Sequence, residues 1–148
     1  NVVLVGPHGC FKARLLHTLL NKNWPENGVT PLIINEHYKS LILYETSGKQ
    51  EGLSQRQQAI QKADILIFCF NSQNIASLNL LQQFQEEMTQ LNVNCKKVLL
   101  GNNDSEVQQC TFQGQVDLIS HQLNCESIML NVLNKSDVQG IFDDLEEK

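Results

Sequence analysis

The sequence predicts an α/β fold: a three-layer sandwich whose mostly parallel six-stranded sheet, with one antiparallel strand, lies between two helix layers. Three observations point there. Apolar runs of strand length alternate along the chain with stretches of helical periodicity. One run, ILIFCF (Ile65 to Phe70), is apolar on both faces, as a central parallel strand must be. The opening stretch, VVLVGPHGCFKARLL, passes from a buried strand through a glycine-containing loop into a helix with one apolar face.

The elements follow in order. The first strand is Val2 to Gly6, and the first helix runs from about Lys12 to Asn21 with Leu15, Leu16, Leu19 and Leu20 on its apolar face. NKNWPENGVTP is loop, punctuated by Pro25, Gly28 and Pro31. Two short strands, Leu32 to Asn35 and Leu41 to Glu45, form a hairpin with its turn near His37 to Ser40. SGKQEG is loop, and Leu53 to Lys62 reads as a polar, mostly exposed helix. After Ile65 to Phe70 comes a helix from Ala76 to Leu91, carrying Leu78, Leu81, Phe84 and Met88 at helical spacing. Strand Lys97 to Gly101, helix Gln113 to Leu123, strand Ser127 to Val132 and a last helix from Asp137 complete the chain.

The 148 residues are expected to form one domain with a sizeable core. The absence of a Lys/Arg cluster and a net charge of −5 argue against nucleic acid or an anionic membrane as partner. No apolar run in these 148 residues is long enough to span a bilayer, and neither a membrane span nor a signal-peptide segment is expected within them. The chain starts inside its first strand without a methionine, so a trimmed domain is expected. Five scattered cysteines, with no C-x-x-C pair, read as reduced thiols in the cytosol or nucleus. Cys69 reads as core, and Cys10, whose place near a helix N-terminus is one that can lower a thiol pKa, reads as an ordinary thiol in preference to a redox group.

Ligands of such sheets bind at the carboxyl ends of the strands. The loop after the first strand has the spacing of G-x-x-x-x-G-K-[ST], with Gly6 first and Lys12 in the lysine place. In a working loop the backbone N–H groups curl around a phosphate and the Ser/Thr hydroxyl ligates Mg²⁺. Here the second glycine is Phe11, whose side chain competes for the phosphate space, and the Ser/Thr is Ala13, which has no oxygen for a metal.

Three later stretches stand where a nucleotide site needs them. ETSGKQE (Glu45 to Glu51) follows the third strand, GNND (Gly101 to Asp104) the fifth, and LNVLNK (Leu130 to Lys135) the sixth. With GPHGCFKA they resemble, in order, the motifs of the Ras superfamily of small GTPases, including DTAGQE, GNKxD and SAK. The resemblance covers nearly the whole chain. It implies a nucleotide site at Gly6, Gly9, Lys12, Glu45, Gly48, Asn102 and Asp104, each of these a remnant in an altered motif.

The alterations can be read chemically. Glu45 keeps the charge of the family's Mg²⁺-ordering aspartate on a longer arm. Lys49 falls where the family's glutamine orients the attacking water, and Gln50 would need a register shift to replace it. Asn103 replaces the guanine motif's lysine, and its aspartate comes one place early as Asp104, leaving Ser105 at the aligned position. Asn131, Val132 and Leu133 stand in place of SAK. Thr30, before Pro31, is the counterpart of the threonine that senses Mg²⁺ and γ-phosphate, on a shortened segment that suits a fixed surface.

The remaining candidates are bland. His8, His17, His37 and His121 match no metal motif and read as solvated or capping side chains. Asp143, Asp144, Glu146 and Glu147 read as a solvated acidic face at a helix end where the dipole disfavours them. Trp24 lies in a predicted loop.

The expectation is therefore a pseudo-GTPase: not an enzyme, with no catalytic residues, no metal and no cofactor, acting through protein partners as an interaction or structural subunit. From Ala63 onward, ADILIFCFNSQNIASL, KKVLLG, QQCTF and VDLISHQLNCESIMLNVL are also similar to a kinetochore subunit of degenerate small-GTPase fold. That similarity implies the nucleus and other centromere subunits as partners; without it the cytoplasm is expected. A second reading is an atypical GTP/GDP-binding switch with little or no hydrolysis, carried by Lys12, Glu45, Asn102 and Asp104, and Phe11 is the residue that discriminates the two. A flavodoxin-like or receiver module is a third, for which GPHGCFK supplies neither a flavin loop nor an acidic cluster.

Overall fold

A computed structural model describes residues 1–6, 12–20, 33–38, 41–46, 53–72, 75–91, 95–102, 112–131 and 134–147. The elements are β1 (Val2–Val5), α1 (Lys12–Leu20), β2 (Ile33–Tyr38), β3 (Leu41–Thr46), α2 (Leu53–Gln61), β4 (Ile65–Asn71), α3 (Ile75–Asn79), α4 (Leu81–Gln90), β5 (Lys96–Asn102), α5 (Gln113–Leu123), β6 (Glu126–Leu130) and α6 (Lys135–Glu147). They build one six-stranded sheet in the order β2-β3-β1-β4-β5-β6. Only the β2–β3 pair is antiparallel; the remaining pairs are parallel.

The period-two geometry of a strand explains why β1, β4 and β5 are apolar on both sides. Val2, Leu4, Ile65, Ile67, Cys69, Val98 and Leu100 face one way, against Leu15 and Leu19 of α1 and Val138, Phe142 and Leu145 of α6. Val3, Val5, Leu66, Phe68, Phe70 and Leu99 face the other, against residues of α2, α3, α4 and α5. Two apolar layers on two sheet faces are the physical content of the three-layer sandwich.

Element boundaries depart from the sequence reading in places, each for a local reason. β2 extends through His37 and Tyr38, which pair with Ile42 and Leu41, so His37 belongs to a strand and not to a turn. The Tyr38 ring meets Phe142 edge-on at 6.2 Å, and its hydroxyl donates to Asp143 Oδ1 at 2.8 Å. One member of the predicted solvated acidic run thus anchors an edge strand.

The helix read from Ala76 to Leu91 is two helices, meeting at exposed Leu80, where the Gln83 N–H reaches only three residues back to the Leu80 carbonyl. The last helix starts two residues before the predicted Asp137. Asn134 Oδ1 accepts the Asp137 N–H at 3.3 Å, an N-cap three residues ahead of an acidic residue. The strand before it stops at Leu130, and the Asn131 carbonyl takes the Asn134 N–H at 3.0 Å.

The largest correction concerns α2, which reads as polar and mostly exposed. Arg56, Ala59 and Ile60 are buried, and Arg56 is fully so. Its glutamines hide this face in the sequence, because the partner of Arg56 lies on α4, 31 residues away.

Candidate functional site

Parallel strands end on the same edge of a sheet, and the register brings the surviving motif positions there. Leu4 lies beside Glu45, Val5 beside Phe68, Asn71 beside Asn102, and Asn102 beside Leu130. Gly6, Glu45, Asn102 and Asn131 therefore stand along one carboxyl edge, where a doubly wound sheet binds its ligands. Lys12 opens α1 and turns back to that edge, its Nζ donating to the Gly6 carbonyl at 2.6 Å. The side chain is almost wholly buried, at 3% exposure. A buried ammonium needs such an acceptor, since desolvating it without one is costly. Lys12 thus ties the start of α1 to the end of β1 whatever else it touches.

Of the predicted site residues, the structure brings together Gly6, Lys12, Asn102 and the backbone of Glu45. The Glu45 side chain lies outside what the structure describes. So do Gly9, Gly48 and Asp104, together with Phe11, Thr30, Lys49, Gln50, Asn103, Ser105, Val132 and Leu133. Cys10, Trp24 and His8 fall outside it too.

Asn102 is buried at the end of β5, and its carbonyl accepts the Ser72 N–H at 3.1 Å. Sequence reasoning passed over the set next to it. The Asn71 N–H donates to Ser77 Oγ at 2.9 Å, and the Ser77 hydroxyl donates back to the Asn71 carbonyl at 3.2 Å. Ser72 and Ser77 are buried, so these groups must be satisfied inside the protein. The signal was present: two short polar residues directly after a fully apolar strand, with a serine five residues on.

Gly101, the first residue of GNND, has a steric role in the core. A Cβ at this position would overlap Met129 Sδ and stand 2.6 Å from Phe70 Cζ. The rings of Phe70 and Phe112 meet at 6.3 Å, which backs Phe70 against α5. The missing side chain leaves the space that the Phe70 ring and the Met129 sulfur occupy.

Between two helices on one face of the sheet, Arg56 of α2 meets Glu87 of α4 through two bonds, Nε to Oε2 at 2.9 Å and Nη2 to Oε1 at 2.7 Å. The guanidinium also lies over the Phe84 ring, 4.8 Å from its centre. Such a fork needs arginine, because lysine presents a point charge. Nearby on α2, Gln55 Oε1 is a buried acceptor with no hydrogen-bond partner among the described residues.

Three thiols are described. Cys69 is core, as read from the sequence. Burial pushes the Cys95 and Cys125 thiols up, partly offset in each by the Lys97 ammonium. Among the described residues no helix is long and apolar enough to cross a membrane.

A six-stranded sheet with one antiparallel strand, a lysine at the head of the first helix, and Gly6, Asn102 and the Glu45 backbone on the carboxyl edge define a small-GTPase-type domain. The match to the Ras family spans residues 1–148, and the chain belongs to that family. No curated protein matches it significantly.

Proposed function

We propose that the chain is a catalytically inactive small-GTPase-like domain, a pseudo-GTPase that serves as a protein-interaction or structural subunit. One observation carries this reading. At the head of α1, Lys12 is kept while the hydroxyl that must follow it is replaced by Ala13. Phosphoryl transfer by this fold requires a metal held by that hydroxyl, a phosphate cradle and an oriented water acting together. The donor set does not fit a Mg²⁺-nucleotide: Ala13 offers no oxygen, Phe11 replaces the cradle glycine, and Lys49 replaces the water-orienting glutamine. The roles found for Lys12 and Gly101 are structural, so retention of both is accounted for without a ligand.

The segments from Ala63 onward that are similar to centromere protein M support a finer version, in which the partners are other centromere subunits and the location is the kinetochore. The test is nucleotide content and binding. The purified protein is denatured, any released nucleotide is analysed, and a fluorescent GTP analogue is titrated with and without Mg²⁺. An empty protein without measurable affinity is expected. Co-purified GDP or GTP, or binding weakened by Lys12→Ala, overturns the proposal in favour of a nucleotide-binding switch.

A further inference from the structure

Away from the carboxyl edge, a groove of about 120 Å³ lies between β6 and α6. Glu126 and Ile128 line it from β6, two positions apart and so on one face of the strand. Ile141, Asp144 and Leu145 line it from α6, at the spacing of one helix face. Buried Val98, beside Glu126 in the register of β5 with β6, completes the lining. Ile128 and Ile141 are only half-buried, so apolar surface stays open, and Glu126 and Asp144 are exposed. Glu126 opens β6, four positions before the Leu130 that pairs with Asn102, which sets it roughly 13 Å from the carboxyl edge.

Size and charge together select an occupant. Small-molecule pockets hold roughly 300–1,000 Å³, so this groove suits a single side chain. Its apolar walls favour a hydrocarbon stem, and its two carboxylates favour a cation. Among the described residues neither Glu126 nor Asp144 has an ion-pair partner. Asp144 also stands in the last turn of α6, where the helix dipole adds negative potential. A lysine or arginine meets both demands, with its methylenes against Ile128 and Ile141 and its charged head at the carboxylates. An apolar side chain would meet one of them, and an acidic one neither.

The sheet order indicates how such a side chain is presented. β6 is the last strand, and among the described residues no strand lies beyond it. An edge of this kind takes up an extended segment by strand addition, with alternate side chains of that segment falling on one face. We propose that β6 and α6 form a docking surface for an extended basic segment of a partner protein, which adds along β6 and seats a lysine or arginine in the groove beside Glu126 and Asp144. Its biological use rests on the interaction-subunit reading above. A domain that bound nucleotide would keep the same groove, so the two ideas fail separately.

The test is titration of the ¹⁵N-labelled 148-residue chain with a blocked eight-residue peptide of alternating lysine and threonine, followed by amide chemical shifts. The shifts should concentrate in Glu126–Leu130 and Ile141–Leu145. Glu126→Gln combined with Asp144→Asn should weaken binding about three- to tenfold, the effect of losing two exposed ion pairs. Glu86→Gln combined with Asp117→Asn removes the same charge from exposed positions on α4 and α5 and should leave the affinity within about twofold. Replacing each lysine of the peptide by diaminobutyrate keeps the charge on a shorter stem and should weaken binding at least about threefold, because the stem no longer spans the apolar walls.

The proposal is overturned by an absence of shifts in these two segments, by equal weakening from the two charge-matched double variants, or by equal affinity for the short-stemmed peptide. Concentration-dependent broadening of the same amides without peptide would make the occupant a second copy of this chain and would overturn it as well. All four substitutions exchange exposed side chains for isosteric neutral ones, so each variant should fold and report on the groove.

Discussion

Replacing Gly101 by alanine separates a packing role from a ligand role at the head of the GNND stretch. The added Cβ would fall 2.6 Å from Phe70 Cζ and 3.0 Å from Phe70 Cε1, and closer still to Met129 Sδ. The methionine is half-buried and unbranched, so its sulfur can swing aside at small cost. The phenylalanine cannot. It is fully buried, and its ring is backed by Phe112. Inserting a methyl group into a close-packed core costs about 1–3 kcal/mol. With the stiff ring as the obstacle we expect the middle of that range, about 2 kcal/mol.

For a chain of this size that corresponds to a fall in Tm of roughly 4–8 °C. Urea denaturation of Gly101→Ala, Phe70→Leu and the double variant measures it. The double variant should be more stable than the sum of the two single losses implies, by at least about 0.5 kcal/mol, because the smaller side chain makes room for the methyl group. Full additivity, or an unchanged midpoint for Gly101→Ala, would refute the packing account of this glycine.

Two further predictions concern the periphery of the domain. Tyr38→Phe removes the hydroxyl bonded to the Asp143 carboxylate and leaves the ring contact with Phe142, so a loss of about 1 kcal/mol is expected for this half-buried, charge-assisted bond. Thermal denaturation reads that loss, and faster amide exchange across β2 should accompany it. Cys95 and Cys125 have folded-state pKa values raised above the ordinary thiol value, chiefly by burial, so the folded protein holds those protons more tightly than the unfolded chain. Their contribution to stability is therefore complete below the unfolded thiol pKa and is lost as pH rises through the higher folded values. At pH 8 both thiols should alkylate more slowly than a free cysteine, and Cys95→Ser should lessen the alkaline decline in the urea midpoint; equal alkylation rates would contradict the effect of burial.

The sequence by itself determined the alternation of strands and helices, the hairpin that supplies the antiparallel strand, and the placing of Gly6, Glu45 and Asn102 along one sheet edge. These are legible because they are local: a strand buried on both faces must be apolar at every position, and a motif's place is set by the element before it. Phe11, Ala13 and Lys49 are read from residue type at a defined spacing alone, and the nucleotide-binding experiment decides what they mean for the site.

What the tertiary structure decided are pairings between distant segments. Arg56 on a glutamine-rich helix looks solvated until Glu87 and Phe84 arrive from α4. Gly101 looks like part of a nucleotide motif until Phe70 and Met129 close over it. Tyr38 looks like a turn residue until Asp143, 105 positions later, accepts a hydrogen bond from its hydroxyl. A charge or a glycine carries no periodicity that marks it as buried. Only the packed neighbours can show whether a polar side chain has exchanged water for a partner.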